Sequence, residues 1–399
     1  MTSPYNLPLF LFFLCLSCLR KVYGERTRRN DPVIEEGDNT LVQIKIKKNS
    51  IGFRAESNSM TSTDRERVTH RAGNIDSKDF EMINEGTIEV DMKLLSGRDL
   101  KFTHMESSWE GDSTGATNYY FSGESTSGAS LATLSLTRRV FQDGKQVVAG
   151  SVQDGEAIYQ IRQVTGEIVS FEEFSQLDFD DELEVEEDEV SSESVNSTDF
   201  SYALGLVDQV DLPIHSLEPS KRFLSSDDGS VLDVLVLYTK GAMCSAAGYS
   251  PGGRCEATRD NVLSIETIIR LAIVEGNQAM SNSGIPARFR LVKSHLDLEY
   301  DEYSDSWLET LSSLRRTQDR KLDYVQSMRT RYGADFVVML VDKNQYCGMG
   351  YRPSSPQADY AFSLTRWSCA TGYYSFSHEI GHNMVSSENV HRTSLRSLA

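Results

Sequence analysis

Between Phe171 and Val190 the chain places eleven acidic residues and no basic one. Carboxylates at that density repel one another and resist burial, so the stretch reads as a solvated linker through which no core can run. A calcium loop is the sharper alternative, but the spacing of an EF-hand and its turn glycine are missing. The acidic run therefore divides the chain, and the two sides differ in pattern.

On the N-terminal side the pattern is that of strands. "LVQIKIKK", "GTIEVDMKLL", "ASLATLSLT" and "EAIYQIRQVTGEIVSF" alternate apolar and polar residues, with Asp154-Gly155 and Thr165-Gly166 as turn signals. This predicts a mostly antiparallel β domain over residues 25–172 with one solvated face. Its histidines, His70 and His104, have no ligand spacing around them and read as surface or satisfied groups.

The first 24 residues read as a secretory signal: Leu7 to Leu19 is apolar but too short to span a bilayer, and "VYG" precedes a plausible cut after Gly24. Nothing else is long and apolar enough for a membrane span. Removing the signal removes Cys15 and Cys18 and leaves four cysteines, an even number in an exported chain. Of the three possible pairings, Cys244–Cys255 with Cys347–Cys369 closes the shortest loops and is preferred. "NST" at Asn196 is a glycosylation sequon. The linker, residues 173–228, contains Lys221-Arg222, which reads either as a processing site or as two surface charges, and "RTRR" at Arg26 to Arg29 is a second such site. The net charge of −19 argues against a nucleic-acid partner, and most of it belongs to the linker.

From residue 229 the pattern becomes α/β. "VLDVLVLY" and "ADFVVMLVD" are buried strands, "ARFRLVKSHL" a half-buried one and "AFSLTR" an edge strand. Val262, Ile265, Ile269, Ala272, Gly276 and Met280 recur at helical spacing. Ser306 and Glu309 make a capping-box pattern opening a second helical stretch that ends by Gly333. A last helix carries "HEIGH".

One helical turn separates His378 from His382, so both imidazoles project from one face and can reach a single zinc ion. Glu379 beside them is placed as a general base toward water that the metal acidifies. That is how H-E-x-x-H maps onto peptide hydrolysis.

"HEIGHNM" resembles the zinc helix of the metzincins, in particular the reprolysin-like (adamalysin-type) and peptidyl-Asp metallopeptidases. "VLDVLVLY", "GADFVVMLVD", "CGMGY" and "FSLTRWSCATGYYSFSHEIGHNM" support it, and together they cover Val231 to Met384. The resemblance implies a secreted zinc metalloendopeptidase acting on protein or peptide substrates. Its fold would be multidomain: a β-rich propeptide followed by an α/β catalytic domain, residues 229–399, with a mixed sheet and long helices.

The chain then departs from the family pattern H-E-x-x-H-x-x-G-x-x-H. Val385 holds the glycine position and Glu388 the third-ligand position, while His391 lies three residues further on. A two-His, one-Glu set is known zinc chemistry, so Glu388 is the candidate third ligand, with His391 as the other residue that could serve; the alternative is an incomplete site. The family's Met-turn is absent from the seventeen residues after His382, so the C-terminal part is incomplete in this reading. The abruptness of the change after Met384 suggests that the sequence leaves its proper reading there. Relatives often keep a propeptide cysteine on the zinc, but residues 25–222 have none, so latency would need steric blocking or a carboxylate of the acidic segment. Two rivals remain: a catalytically silent form of the same domain, and an extracellular binding protein acting through its first half.

Overall fold

The computed structural model describes residues 40–48, 71–175 apart from short internal stretches, 182–186, 230–250 and 255–384. The signal segment, "RTRR", His70, Asn196, Lys221-Arg222, Val385, Glu388 and His391 lie outside the described residues.

The N-terminal half is β1 (Thr40–Lys45), β2 (Lys47–Lys48), β3 (Arg71–Asp76), a short helix α1 (Ser77–Glu81), β4 (Thr87–Lys93), β5 (Asp99–Glu110), β6 (Ala116–Ser125), β7 (Leu131–Val140), β8 (Gln146–Gln153), β9 (Ala157–Thr165) and β10 (Ile168–Ser175). They form one ten-stranded sheet, in the order β1-β4-β5-β6-β7-β8-β9-β10-β3-β2, antiparallel except for β1 on β4. Its two ends, β1 and β2, are joined through Ile46 alone, so the sheet wraps round on itself into a barrel. Alternate residues of every long strand fill the interior: Val90 and Met92, Leu100 and Phe102, Leu134 and Leu136, Tyr159 and Ile161. The Asp154 turn works as its sequence suggests, with Oδ1 accepting from the Ala157 amide at 2.9 Å and Arg98 closing on Oδ2 at 2.8 Å. His104 is half-buried and packs edge-on against Phe121.

The second half is a six-stranded mixed sheet. Its elements are β11 (Glu182–Glu186), β12 (Val231–Thr239), α2 (Lys240–Ala246), α3 (Arg259–Asn282), β13 (Arg288–Asp297), α4 (Trp307–Arg315), α5 (Tyr324–Tyr332), β14 (Phe336–Val341), β15 (Gly348–Arg352), β16 (Phe362–Arg366) and α6 (Ser375–Asn383). The order is β11-β15-β16-β14-β12-β13, and only β15 on β16 is antiparallel. Both faces are covered. Val234, Val236, Val338 and Leu340 pack under α2, α3 and α6, while Leu235, Leu237, Val337 and Met339 pack under α4.

Helix starts follow their caps. Thr258 accepts from the Asn261 amide at α3, and at α4 both halves of the Ser306–Glu309 box form. Both disulfides take the preferred pairing, with Cα–Cα distances of 5.7 Å for Cys244–Cys255 and 5.5 Å for Cys347–Cys369.

Four expectations change. "AFSLTR" is not an edge: β16 lies between β14 and β15 and every residue of it is buried. The stretch ending at Gly333 is two helices, because at residues 319–321 the Asp323 carboxylate gathers the amides of Asp319 and Arg320 into a turn with Arg320 at φ 61°. The acidic segment is not linker throughout. Its sequence ELEVE still alternates, so β11 pairs in parallel along the outer edge of β15 and buries Val185.

Finally, the barrel's outer face is not all solvated. Strand β8 is buried on both sides, since its outward residues meet α3. Across this contact Arg139 reaches Glu266 at 3.4 Å and Arg259 reaches Asp143 at 2.7 Å. Ile158 and Phe174 of the barrel pack on the Cys347–Cys369 disulfide.

Candidate functional site

Helix α6 is entered through a tightly held loop. Cys369 ties the loop to Cys347 at the head of β15, Gly372 turns it at φ 77°, and Tyr374 starts the helix from φ 66°. A side chain at Gly372 would come within 2.7 Å of Ile158 in the barrel, so glycine is required there by space as well as by φ. All nine residues of the helix are buried. On one side α3 presses close: a Cβ at Gly276 would lie 3.3 Å from the Ser377 Cβ and 2.9 Å from the Phe289 ring.

The i, i+4 spacing does what it predicts. The rings of His378 and His382 stand edge to face, and their Nε2 atoms converge to 2.7 Å. At that distance one Nε2 donates to the other, the tautomer deciding which; both nitrogens lie on one face of the helix, and a neutral imidazole is a ligand that zinc accepts. The pair thus fits zinc as two of its donors. Among the described residues no group of three or more metal-ligating side chains forms. Glu388 and His391, the candidates for a further ligand, lie outside them.

Glu379 is fully buried, with its carboxylate turned to the backbone of β15. A Cβ on Gly348 would fall 2.1 Å from its Oε1, and one on Gly350 would fall 2.8 Å from its Oε2. "CGMGY" is therefore a strand with two jobs. Its glycines face Glu379, while Met349 and Tyr351 face the opposite core.

Asn383, the residue after His382, fastens the end of the helix to the sheet. The β15–β16 ladder runs from Gly348–Thr365 to Gly350–Ser363 and stops. There the Asn383 amide donates to the carbonyls of Tyr351 at 2.7 Å and Phe362 at 3.1 Å. Asn383→Ala removes the donor both carbonyls share and is expected to cost about 2–3 kcal/mol, read from the shift of the urea midpoint.

The sequence motif names the histidines and Glu379 as candidates but not Gly348, Gly350 or Asn383, which the structure places against the same helix. The signal for the glycines was present: glycine at i and i+2 in an otherwise apolar strand marks a close approach on one face. The cavity of about 410 Å³ lined by Tyr303, Asp305, Trp307, Asp342, Lys343 and Gln345 contains no residue of α6. There the Asp342 carboxylate accepts from Ser245, Tyr303 and Trp367, while Glu302, pushed up to about 7 by burial, accepts from Thr239. That network serves the fold.

Comparison with known proteins agrees with this geometry. Peptidyl-Asp metalloendopeptidases of Stenotrophomonas maltophilia strains K279a and R551-3 are each 32% identical to the chain, over 160 and 158 residues. That of Xanthomonas campestris pv. campestris is 31% identical over 160 residues. Each alignment covers 40% of this chain and 34% of the relative, so the chain spans about a third of the length of the curated relatives it matches. A chain from a solved chaperone–substrate complex aligns over 39% of this chain and 24% of its own length at 17% identity, with a TM-score of 0.29, too low to bear on the fold. Residues 267–387, which include His378, Glu379 and His382, match the model of the reprolysin-like metallo-peptidase family M12B.

Proposed function

We propose that the chain is the precursor of an exported zinc metalloendopeptidase. His378 and His382 hold the metal through Nε2, Glu388 is the third ligand, and Glu379 is the general base that takes a proton from the attacking water. When bound, zinc supplies Lewis acidity toward the peptide carbonyl and acidifies water. Residues 1–24 direct export, and the two disulfides suit an oxidising compartment. Among the described residues no helix is long and apolar enough to cross a membrane. The barrel and the acidic segment act as a propeptide that covers the site by bulk, since residues 25–222 offer no cysteine to the metal. Substrates are proteins or peptides, and the printed name of the relatives makes aspartate-containing peptides the first to try.

The single observation that carries this reading is the convergence of two buried imidazole nitrogens at 2.7 Å on one helix, beside a buried glutamate, inside the M12B match. Zinc content of the purified chain and chelator-sensitive cleavage of an aspartate-containing peptide test it. The expected result is about one zinc per chain, lost in His378→Ala/His382→Ala, together with cleavage. Zinc without cleavage would identify a catalytically silent form, and the absence of both would leave a binding protein.

A further inference from the structure

A carboxylate sits at the centre of the contact between the barrel and the loop that feeds α6. Glu275, on α3, is buried. Its Oε1 accepts from the Ser151 hydroxyl of β8 at 2.5 Å, and its Oε2 accepts from the Gly372 amide at 2.8 Å. The barrel adds further bonds to the same loop. Gln160 donates to the carbonyls of Ser368 at 2.7 Å and Thr371 at 3.0 Å, and Gln153 donates to the Gly372 carbonyl. Below Gly372 lies Ile158, which shares an apolar cluster with Phe174 and the Cys347–Cys369 disulfide.

We infer that this contact is a pH-responsive docking surface, in which the barrel grips the loop feeding α6 more tightly when Glu275 is neutral than when it is charged. The chemistry of the contact explains why. A neutral Glu275 keeps both bonds, with its hydroxyl donating to Ser151 Oγ and its carbonyl oxygen accepting from Gly372. Ionisation leaves the geometry intact but puts a charge where water does not reach.

Among the described residues, the two groups bonded to the Glu275 carboxylate, the Ser151 hydroxyl and the Gly372 amide, are uncharged. Gln153 and Gln160 on the barrel side are neutral as well. The nearest charged residues along α3 are Arg270 and Glu266. Burial is the largest influence and raises the carboxyl to about 7, against smaller lowering by Ser151 and Gly372. Released into water, the group returns to its ordinary value of 4.5.

The sign follows from these two values. Between 4.5 and about 7 the docked state holds a proton that the released state does not, so docking is strongest at low pH and weakens as pH rises through 7. From pH 5 to pH 8 the weakening is roughly 70-fold. The docking surface stands on the barrel contact alone and does not depend on the peptidase reading.

Hydrogen exchange of the intact chain tests it, with the Gly372 amide as reporter. Corrected for intrinsic exchange, its opening constant is expected to rise roughly 70-fold from pH 5 to pH 8. Glu302 titrates in the same window, so a second variant is needed to assign the effect. Glu275→Gln keeps both bonds without an ionisable group, and its profile should be flat to within about threefold. A flat wild-type profile overturns the inference whether or not the variant folds. So does a Glu275→Gln profile as steep as that of the wild type.

Discussion

Glu379→Gln is expected to lower peptide cleavage by about 10²- to 10⁴-fold while leaving zinc content and the folded state unchanged. Glutamine matches glutamate in volume, and volume decides what this site tolerates, since the side chain is fully buried with Gly348 and Gly350 against it. The amide fills that space but cannot take a proton from water. The loss should therefore fall on kcat, with KM nearly unmoved, because the substrate's contacts are untouched. Stability should hold or rise, as an ionisable group is replaced by a neutral one in a buried position. Rates per bound zinc, measured on an aspartate-containing peptide, separate this from a folding defect. A variant that cleaves within about threefold of the wild type would remove Glu379 from the proposed chemistry.

Much of the C-terminal half was legible because its signals are local. The Ser306–Glu309 box, the Thr258 start of α3 and the i, i+4 histidines are each set by residues within one or two turns, and each formed. The short-loop disulfides formed for the same reason. What sequence pattern did not reveal is lateral. Whether β16 stands at an edge depends on β15 returning beside it, which no residue of "FSLTR" encodes. In the barrel, β5 and β6 carry long polar stretches and bury mainly Leu100, Phe102, Tyr119 and Phe121, too sparse an alternation to stand out. The acidic run misled through composition. Charge density spoke for a linker, while the smaller alternation of Leu183 and Val185 between glutamates set a strand.

The polar residues of the barrel's outer face were hidden for a related reason. Ser151, Gln153 and Gln160 alternate with interior residues, as any solvated face would. Their partners, Glu275 and the 368–372 loop, lie more than a hundred residues away. Only assembly turns that face into a contact, and this is why the site's surroundings were less readable than its three central residues.

Gly348→Ala should be among the most damaging single-atom changes in the chain. The added Cβ would stand 2.1 Å from Glu379 Oε1 and 2.6 Å from its Cγ and Cδ, so the obstruction is the stem of the side chain as well as its tip. Relief requires β15 to move away from α6 or Glu379 to leave its rotamer. The first course strains the Asn383 bonds to Tyr351 and Phe362, and the second has little room among buried neighbours. Overpacking of this kind is expected to cost about 3 kcal/mol, and by the usual scaling to lower Tm by about 6–12 °C. Gly350→Ala, at 2.8 Å, should be milder. The clash predicts its own cure. Glu379→Ala removes the atoms that the new methyl group would strike, so the double variant should recover most of the loss, a coupling of about 2 kcal/mol in a double-mutant cycle. Additive losses would mean that Gly348 is needed for backbone reasons of its own, and that the strand does not set the position of the glutamate.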